Sequence, residues 1–98
     1  MLEMILIFAG GLALGWLFTL YYEHIISWFT GRQNLKESDR DNIAFTLQES
    51  LRTGKYKTIQ GIFNKRTNTV LDGTGYESQE LDSRLKEVHA GSPLVVYN

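Results

Sequence analysis

The stretch of sequence that decides the fold spans residues 4 to 22 and reads MILIFAGGLALGWLFTLYY. Its 19 residues include no charged side chain. As a continuous α-helix rising about 1.5 Å per residue they would measure roughly 28 Å, close to the ~30 Å hydrocarbon core of a bilayer. The sequence therefore predicts a single N-terminal transmembrane helix, with the lipid bilayer as one of its partners.

Two other interpretations of this stretch fit the sequence less well. A cleaved signal peptide begins with basic residues and ends at small ones. This chain begins Met1-Leu2-Glu3, and the sequence following the apolar run is Tyr21-Tyr22-Glu23. A buried core helix would need a larger surrounding core than the remaining ~65 residues supply. A retained membrane anchor is the preferred interpretation.

The charges that flank the stretch predict its orientation. Glu3 precedes it, whereas Arg32, Lys36 and Arg40 follow it. Because Lys and Arg stay on the cytoplasmic side of a membrane, the N-terminus is expected outside and the C-terminal part on the cytoplasmic side.

Small residues recur within the apolar stretch at four-residue spacing. Gly11 and Gly15 form one pair, and Ala9 and Ala13 form another. In a helix these four positions would share one face, where another helix can approach closely. They are the candidate docking residues, for a larger membrane protein complex or for a homo-oligomer. The alternative is that Gly and Ala are simply frequent in membrane helices.

Aromatic residues at the end of the stretch predict a membrane–water interface. Tyr21 and Tyr22 fit an aromatic belt, and Trp28 and Phe29 fit an interfacial continuation of the helix to residue 30. His24 lies between them as a candidate ligand or proton carrier. An interfacial position explains His24 without chemistry, because lone polar residues are routine at such boundaries.

The remainder of the chain predicts a small α+β domain at residues 38–98, joined by a linker at 31–37. The apolar positions Ile43, Ala44, Leu47 and Leu51 predict a helix between Ser38 and Gly54. A hairpin, a helix opening at Ser78 and a last strand at 94–97 follow. The fold class is thus one transmembrane helix plus an α-β-β-α-β domain, with a three-stranded sheet and both helices on one face.

Composition and motifs argue against several chemistries. The net charge is −1, which is not typical of a nucleic-acid-binding protein, and the chain has no cysteine. The two histidines, His24 and His89, have no metal-ligand spacing. The segment 72–75, Asp-Gly-Thr-Gly, departs from the Asp-Thr/Ser-Gly loop of aspartic proteases by an inserted glycine, so a turn or bulge is expected. No catalytic, cofactor or metal site is predicted.

Basic residues cluster in the predicted hairpin. No acidic residue occurs between Leu51 and Leu71, a segment with five basic residues: Arg52, Lys55, Lys57, Lys65 and Arg66. Near a membrane such a segment favours contact with anionic lipid or an acidic partner. The alternative is a solvated hairpin whose charges prevent edge-to-edge aggregation.

Together these patterns predict a non-catalytic membrane accessory subunit or adaptor, which docks on a larger complex through its helix and its small domain. The alternative is a self-associating, membrane-tethered regulatory module that binds an anionic lipid or an acidic partner through the basic hairpin. A small membrane enzyme is the least favoured hypothesis, because no paired titratable groups are evident in the sequence.

Overall fold

A computed structural model describes residues 1–97. In that range the chain forms five strands and four helices. The strands are β1 (Gly15–Leu20), β2 (Asn42–Ser50), β3 (Tyr56–Asn64), β4 (Thr69–Leu81) and β5 (Leu94–Tyr97). The helices are α1 (Leu2–Gly10), α2 (Tyr22–Thr30), α3 (Gln33–Glu37) and α4 (Ser83–Val88).

The five strands form one mixed sheet in the order β1-β4-β3-β2-β5. β1 pairs parallel with β4, from Gly15 opposite Tyr76 to Leu20 opposite Leu81. The other three pairings are antiparallel. α1 packs on one face of the sheet, and α2 and α4 pack on the other. The predicted fold class, with three strands and helices on one face, is therefore wrong.

The predicted transmembrane helix is also wrong. α1 ends at Gly10, where the Gly11 N–H bonds back to the Phe8 carbonyl at 3.2 Å, and the chain then turns into β1. The uncharged stretch is thus divided between a nine-residue helix and a six-residue strand. None of the helices in residues 1–97 has the length and apolarity needed to cross a bilayer. The predicted single-pass topology, with the N-terminus outside, depended on that helix and is therefore wrong as well.

The segment predicted as a helix after Ser38 is instead strand β2. The spacing of its apolar residues explains the difference. Ile43, Phe45 and Leu47 alternate with polar or small residues, which is the two-residue period of a strand. Phe45, which does not fit the helical stripe, is fully buried. Gly54, predicted to end the helix, lies in the β2–β3 turn with φ +83°, a conformation that favours glycine.

Other predicted elements are present with shifted limits. The hairpin is β3 and β4, joined by a polar turn at residues 65–68. β4 continues to Leu81, so the following helix begins at Ser83 rather than near Ser78. β5 occupies the predicted final strand. The expected bulge at Gly73 or Gly75 is not there: the register shifts next to Ile62 and Phe63.

Three glycines of the sheet make room for the core beneath α1. A Cβ on Gly61 would lie 2.7 Å from the Asp72 carbonyl oxygen and 2.9 Å from the Phe45 ring. A Cβ on Gly73 would lie 2.7 Å from the Phe8 ring, and one on Gly75 would lie 2.6 Å from Leu14. Ile5 and Ala9 of α1 complete this core with Phe45, Ile59 and Phe63.

The opposite core, beneath α2 and α4, is apolar at one end and hydrogen-bonded at its centre. Leu20, Ile25, Leu81 and Leu85 form its apolar part. Gln60, which is fully buried, donates to the Ile25 carbonyl at 3.1 Å and accepts from the Tyr76 hydroxyl at 2.6 Å. Burial raises the pKa of Tyr76 to about 12, so the phenol stays protonated as the donor. The pair ties α2 to the middle of the sheet.

Asp82 joins the starts of two helices. β1 and β4 end side by side at Leu20 and Leu81, and a helix follows each of them. One oxygen of the Asp82 carboxylate accepts from the Tyr22 N–H at 2.8 Å, and the other accepts from the Leu85 N–H at 2.9 Å. Partial burial raises the pKa of Asp82, but backbone hydrogen bonds from Tyr22, Leu85 and Arg84 outweigh it and lower the pKa below its ordinary value.

Substituting Gly61 by alanine is expected to destabilise the protein by about 1–3 kcal/mol, because the new methyl group would overlap the β4 backbone and the Phe45 ring. Urea unfolding followed by circular dichroism measures the change. Gly91→Ala is the matched control, since its Cβ would meet nothing within 4 Å. Equal midpoints for the two variants would contradict this account of the glycine.

Removing the Asp82 carboxylate is expected to cost about 2 kcal/mol, because each lost helix cap is worth about 1 kcal/mol. Asp82→Ala removes both acceptor oxygens, whereas Asp82→Asn keeps one and should fall between the alanine variant and the parent. Thermal unfolding at pH 7 gives the ranking. An alanine variant as stable as the parent would show that the double cap contributes nothing.

Candidate binding surfaces

The four predicted docking residues do not share a helix face. Ala9 is buried on the inner side of α1, Gly11 caps that helix, and Ala13 lies in the connector to β1. Gly15 begins β1, where a Cβ would lie 3.8 Å from the Gly75 carbonyl oxygen. Four-residue spacing aligns side chains only within one continuous helix. These residues are divided among a helix, a connector and a strand, so they do not form a docking face.

The four predicted interfacial aromatics lie around α2 in two different environments. Tyr22 and Phe29 pack partly buried against the core beneath that helix. Tyr21 is exposed, and Trp28 lies on the outer side with the Arg32 guanidinium 3.8 Å from its ring centroid. The first pair stabilises the fold, and the second pair is available to a ligand.

The five predicted basic residues lie at the two ends of β3. Arg52 and Lys55 are in the β2–β3 turn beside Lys57, whereas Lys65 and Arg66 are in the β3–β4 turn. Lys57 and Lys65 are eight residues apart, which is about 26 Å along a strand. Arg66 also forms ion pairs with Asp39 and Asp41. The fold thus does not gather the five residues on one anion-binding surface.

The residues that sequence reasoning missed are large apolar side chains exposed near the N-terminus. Ile7 is 69% exposed, Phe18 64%, Trp16 54% and Leu6 52%. With Leu2 they make up the exposed apolar residues of α1 and β1, which we call the α1–β1 surface: Leu2, Leu6, Ile7, Trp16 and Phe18. Ile7 lies beside Thr69 and Val70 at the start of β4, whereas Trp16 is in register with Glu77 further along that strand. The signal for this surface was the uncharged stretch itself: α1 and β1 contain more apolar side chains than one helix face and one strand face bury.

Charged residues border the α1–β1 surface. Trp16 is in register with Glu77, Glu77 with Lys57, and Lys57 with Glu49, so these four side chains form a row across four strands. The Lys55 ammonium lies 4.7 Å from the Trp16 ring centroid. Leu6 of α1 lines the same small cavity as Glu49 and Lys57. On this side of the sheet, Glu77 and Lys57 therefore lie between Trp16 and Leu6.

A second concave feature runs along the outer side of α2. This α2 groove has a volume of about 700 Å³ and is lined by five residues: Tyr21, Glu23, His24, Ser27 and Trp28. His24 packs edge-on against Tyr76 of β4, with ring centroids 5.1 Å apart. Three of the lining side chains are aromatic and one is a carboxylate. His24 therefore has a place in a groove, not the bilayer boundary that the sequence suggested.

Asp72, the acid of the sequence's Asp-Gly-Thr-Gly segment, supports the α2 groove from below. One carboxylate oxygen accepts from Arg32 Nε at 2.8 Å, and the other accepts from the Gly73 N–H at 2.8 Å. Arg32 is thereby fixed over the Trp28 ring, and it also donates to the Trp28 carbonyl at 3.3 Å. Both carboxylate oxygens of Asp72 are engaged in structural contacts.

His89 takes part in a chain of hydrogen bonds that superficially resembles a nucleophile–base pair. Its Nδ1 lies 3.0 Å from the Ser92 carbonyl oxygen, which can only accept, so Nδ1 is the donor. Nε2 of the neutral ring then accepts from the Thr46 hydroxyl at 2.7 Å, and Thr46 accepts from Tyr97 at 2.8 Å. Thr46 is 0% exposed, so a substrate does not reach its hydroxyl.

Comparison with protein-family models, with curated proteins and with solved structures finds no match for this chain. Two features of the molecule are candidate binding sites: the apolar α1–β1 surface and the aromatic α2 groove.

Acidification is expected to destabilise the protein through His89. Burial lowers its pKa in the folded chain below the ordinary 6.5, so below pH 6.5 the unfolded chain binds more protons. This contribution to stability is complete above pH 6.5 and is lost as the pH falls toward the folded-state pKa. Melting temperatures between pH 7.5 and 5 measure the loss.

His89→Gln should flatten that pH dependence, whereas the matched variant His24→Gln should retain it, because it leaves His89 in place. A decline that is identical in the parent and in His89→Gln would exclude His89 as its source.

Proposed function

We propose that this chain is a non-catalytic adaptor that binds another protein subunit through its α1–β1 surface. The observation that carries the proposal is the exposure of Leu6, Ile7, Trp16 and Phe18 on adjacent elements. A single exposed leucine is ordinary, but four large apolar side chains exposed on the α1 side of the sheet, with charged residues between them, favour a protein-interaction site.

The energetics favour a covered surface. Burying apolar area is worth roughly 25 cal/mol per Å², which amounts to about 1.5–3 kcal/mol for a fully buried Leu, Ile or Phe side chain. Ile7 and Phe18 are still largely in water in the isolated chain. Trp16 adds the residue type most enriched among the energetic centres of interfaces. A partner that covers these three side chains would gain a substantial part of its binding energy from them.

The border of the surface supplies orientation. Glu49, Lys57 and Glu77 alternate in sign along one row beside the apolar residues. Alternating charges discriminate between partners and between registers more than they add affinity. The proposed partner therefore presents apolar groups on either side of a complementary row of charges, and it is either a larger assembly or a second copy of this chain.

Binding rather than catalysis is supported by the state of the candidate chemical groups. The Thr46 hydroxyl beside His89 is fully buried, and Asp72 is held by Arg32 and the Gly73 N–H. Thr46 and His89 form hydrogen bonds with each other, and Asp72 is separately bound by its own two partners. The rival hypothesis, an anionic ligand on the basic hairpin, lacks a specific observation in its favour because its residues lie at opposite ends of β3.

The test replaces Leu6 and Ile7 by serine in the tagged full-length chain, expressed in its source cells. Each truncation is expected to weaken binding about tenfold, since about 1.4 kcal/mol corresponds to a factor of ten in Kd. Sedimentation of the isolated material should show the parent in a complex heavier than its own 11.2 kDa and the double variant alone.

Val96→Ser is the matched control. Val96 is also an exposed aliphatic residue, but it lies on β5, at the opposite edge of the sheet from β1. It should leave the complex intact, and circular dichroism should show all three proteins folded. A parent chain that sediments as a monomer, or a double variant that retains the partner, would refute the proposal.

A further inference from the structure

The α2 groove places three aromatic rings and a carboxylate around one concavity. We propose that it binds the trimethylammonium group of a small quaternary ammonium compound. Cations of this kind are attracted to the faces of aromatic rings, and sites for them are commonly formed by several rings with a nearby acid. The groove has a volume of about 700 Å³ and is open to solvent along its outer side.

Two of the three rings are positioned by the helix and by the groups beneath it. His24 and Trp28 are four residues apart, so α2 presents them on one side, whereas Tyr21 is the extended residue directly before the helix. Contact with Tyr76 orients His24, and contact with Arg32 orients Trp28. His24 and Trp28 are therefore held in place before a ligand arrives, which reduces the entropy lost on binding.

Arg32 shows that the Trp28 ring accommodates a cation. Its guanidinium lies 3.8 Å from the ring centroid on one side, and its charge is balanced by Asp72 at 2.8 Å. Because Arg32 is paired with Asp72, its repulsion of a second cation near Trp28 is reduced. Cation contacts of the same kind occur at Tyr22 with Arg84 and at Trp16 with Lys55.

The local charge also favours a cation. Glu23 contributes a carboxylate to the groove. The N-terminus of α2 would by itself repel a cation, because the helix dipole is positive there. Asp82 opposes that effect, since its carboxylate accepts from the Tyr22 N–H at 2.8 Å. Two acids are thus associated with the start of α2: Glu23, which lines the groove, and Asp82, which accepts from the first N–H of the helix.

Hydration favours a quaternary ammonium over a primary one in this groove. A primary ammonium is strongly hydrated, so removing it from water costs more. Glu23, Ser27 and His24 can accept hydrogen bonds from a primary ammonium, so the preference rests on hydration and on contact with the rings. A trimethylammonium group needs no hydrogen bonds, and its methyl groups can contact Tyr21 and Trp28 directly.

Trp28 fluorescence provides the test. In the Trp16→Phe variant Trp28 is the single tryptophan, so its emission reports on the groove. Titration with choline should give a saturable change with a Kd in the millimolar range. The neutral compound 3,3-dimethylbutan-1-ol has the same shape as choline without the charge, and it should bind at least tenfold more weakly. A trimethyllysine amide distinguishes a modified side chain from a free small molecule: whichever probe binds more tightly identifies the source of the group.

Variants separate the groove from general charge effects. In the same background, Glu23→Gln should weaken choline binding three- to tenfold, whereas Glu3→Gln, an exposed acid on α1, should leave it unchanged. The proposal is overturned by a linear response to choline, by equal affinity for the neutral compound, or by equal effects of the two glutamine variants. Leu6→Ser and Ile7→Ser should not alter choline binding, so this result stands apart from the adaptor proposal.

Discussion

Parallel pairing of β1 with β4 is the contact on which the rest of the structure depends. It gives the backbone of residues 15–20 hydrogen-bonding partners outside its own segment, which is why the uncharged stretch does not continue as a helix. It also brings Leu20 and Leu81 side by side, so that α2 and α4 begin at the same end of the sheet. A single carboxylate, Asp82, can then cap both helices. The α2 groove owes its position to this junction.

The second constraint is the close approach of α1 and its connector to the sheet. Gly61, Gly73 and Gly75 lack the side chains that would collide with Phe45, Phe8 and Leu14. Because α1 fits tightly on its inner side, its outer side remains in water together with the exposed face of β1. The apolar residues that stabilise the core and those available to a partner thus come from the same short segment.

Sequence patterns predicted those elements in which local preference and tertiary environment agree. The β3–β4 hairpin has β-branched and aromatic residues around a polar turn, and the final strand has a short apolar run, so both are present. The segment after Ser38 was wrongly predicted as a helix, because the spacing of Ile43, Ala44, Leu47 and Leu51 also fits a helical period. Burial of Phe45 decided between the two periods, and burial is a property of the folded chain.

The sequence indicated which residue types could form a binding site, but it did not indicate where in the fold those residues lie. Tyr21 and Trp28 stood out as aromatics at a boundary, but their common groove with Glu23 and His24 requires α2 to begin at Tyr22. The basic residues of the hairpin stood out as a cluster, yet a nine-residue strand separates them. Proximity in sequence became distance because an extended strand adds about 3.3 Å with each residue.

By itself the sequence determined that residues 4–22 are uncharged and mostly apolar. It also determined that burying these side chains away from water lowers the free energy of the protein. Only the tertiary structure decided how. Hydrophobicity is not directional, so the same side chains can be covered by lipid, by a core or by a partner. Here Ile5, Ala9 and Leu20 are covered by the sheet and its helices, while Ile7, Trp16 and Phe18 stay exposed. The division between the two sets follows from hydrogen bonding of β1 to a strand more than fifty residues further along the chain.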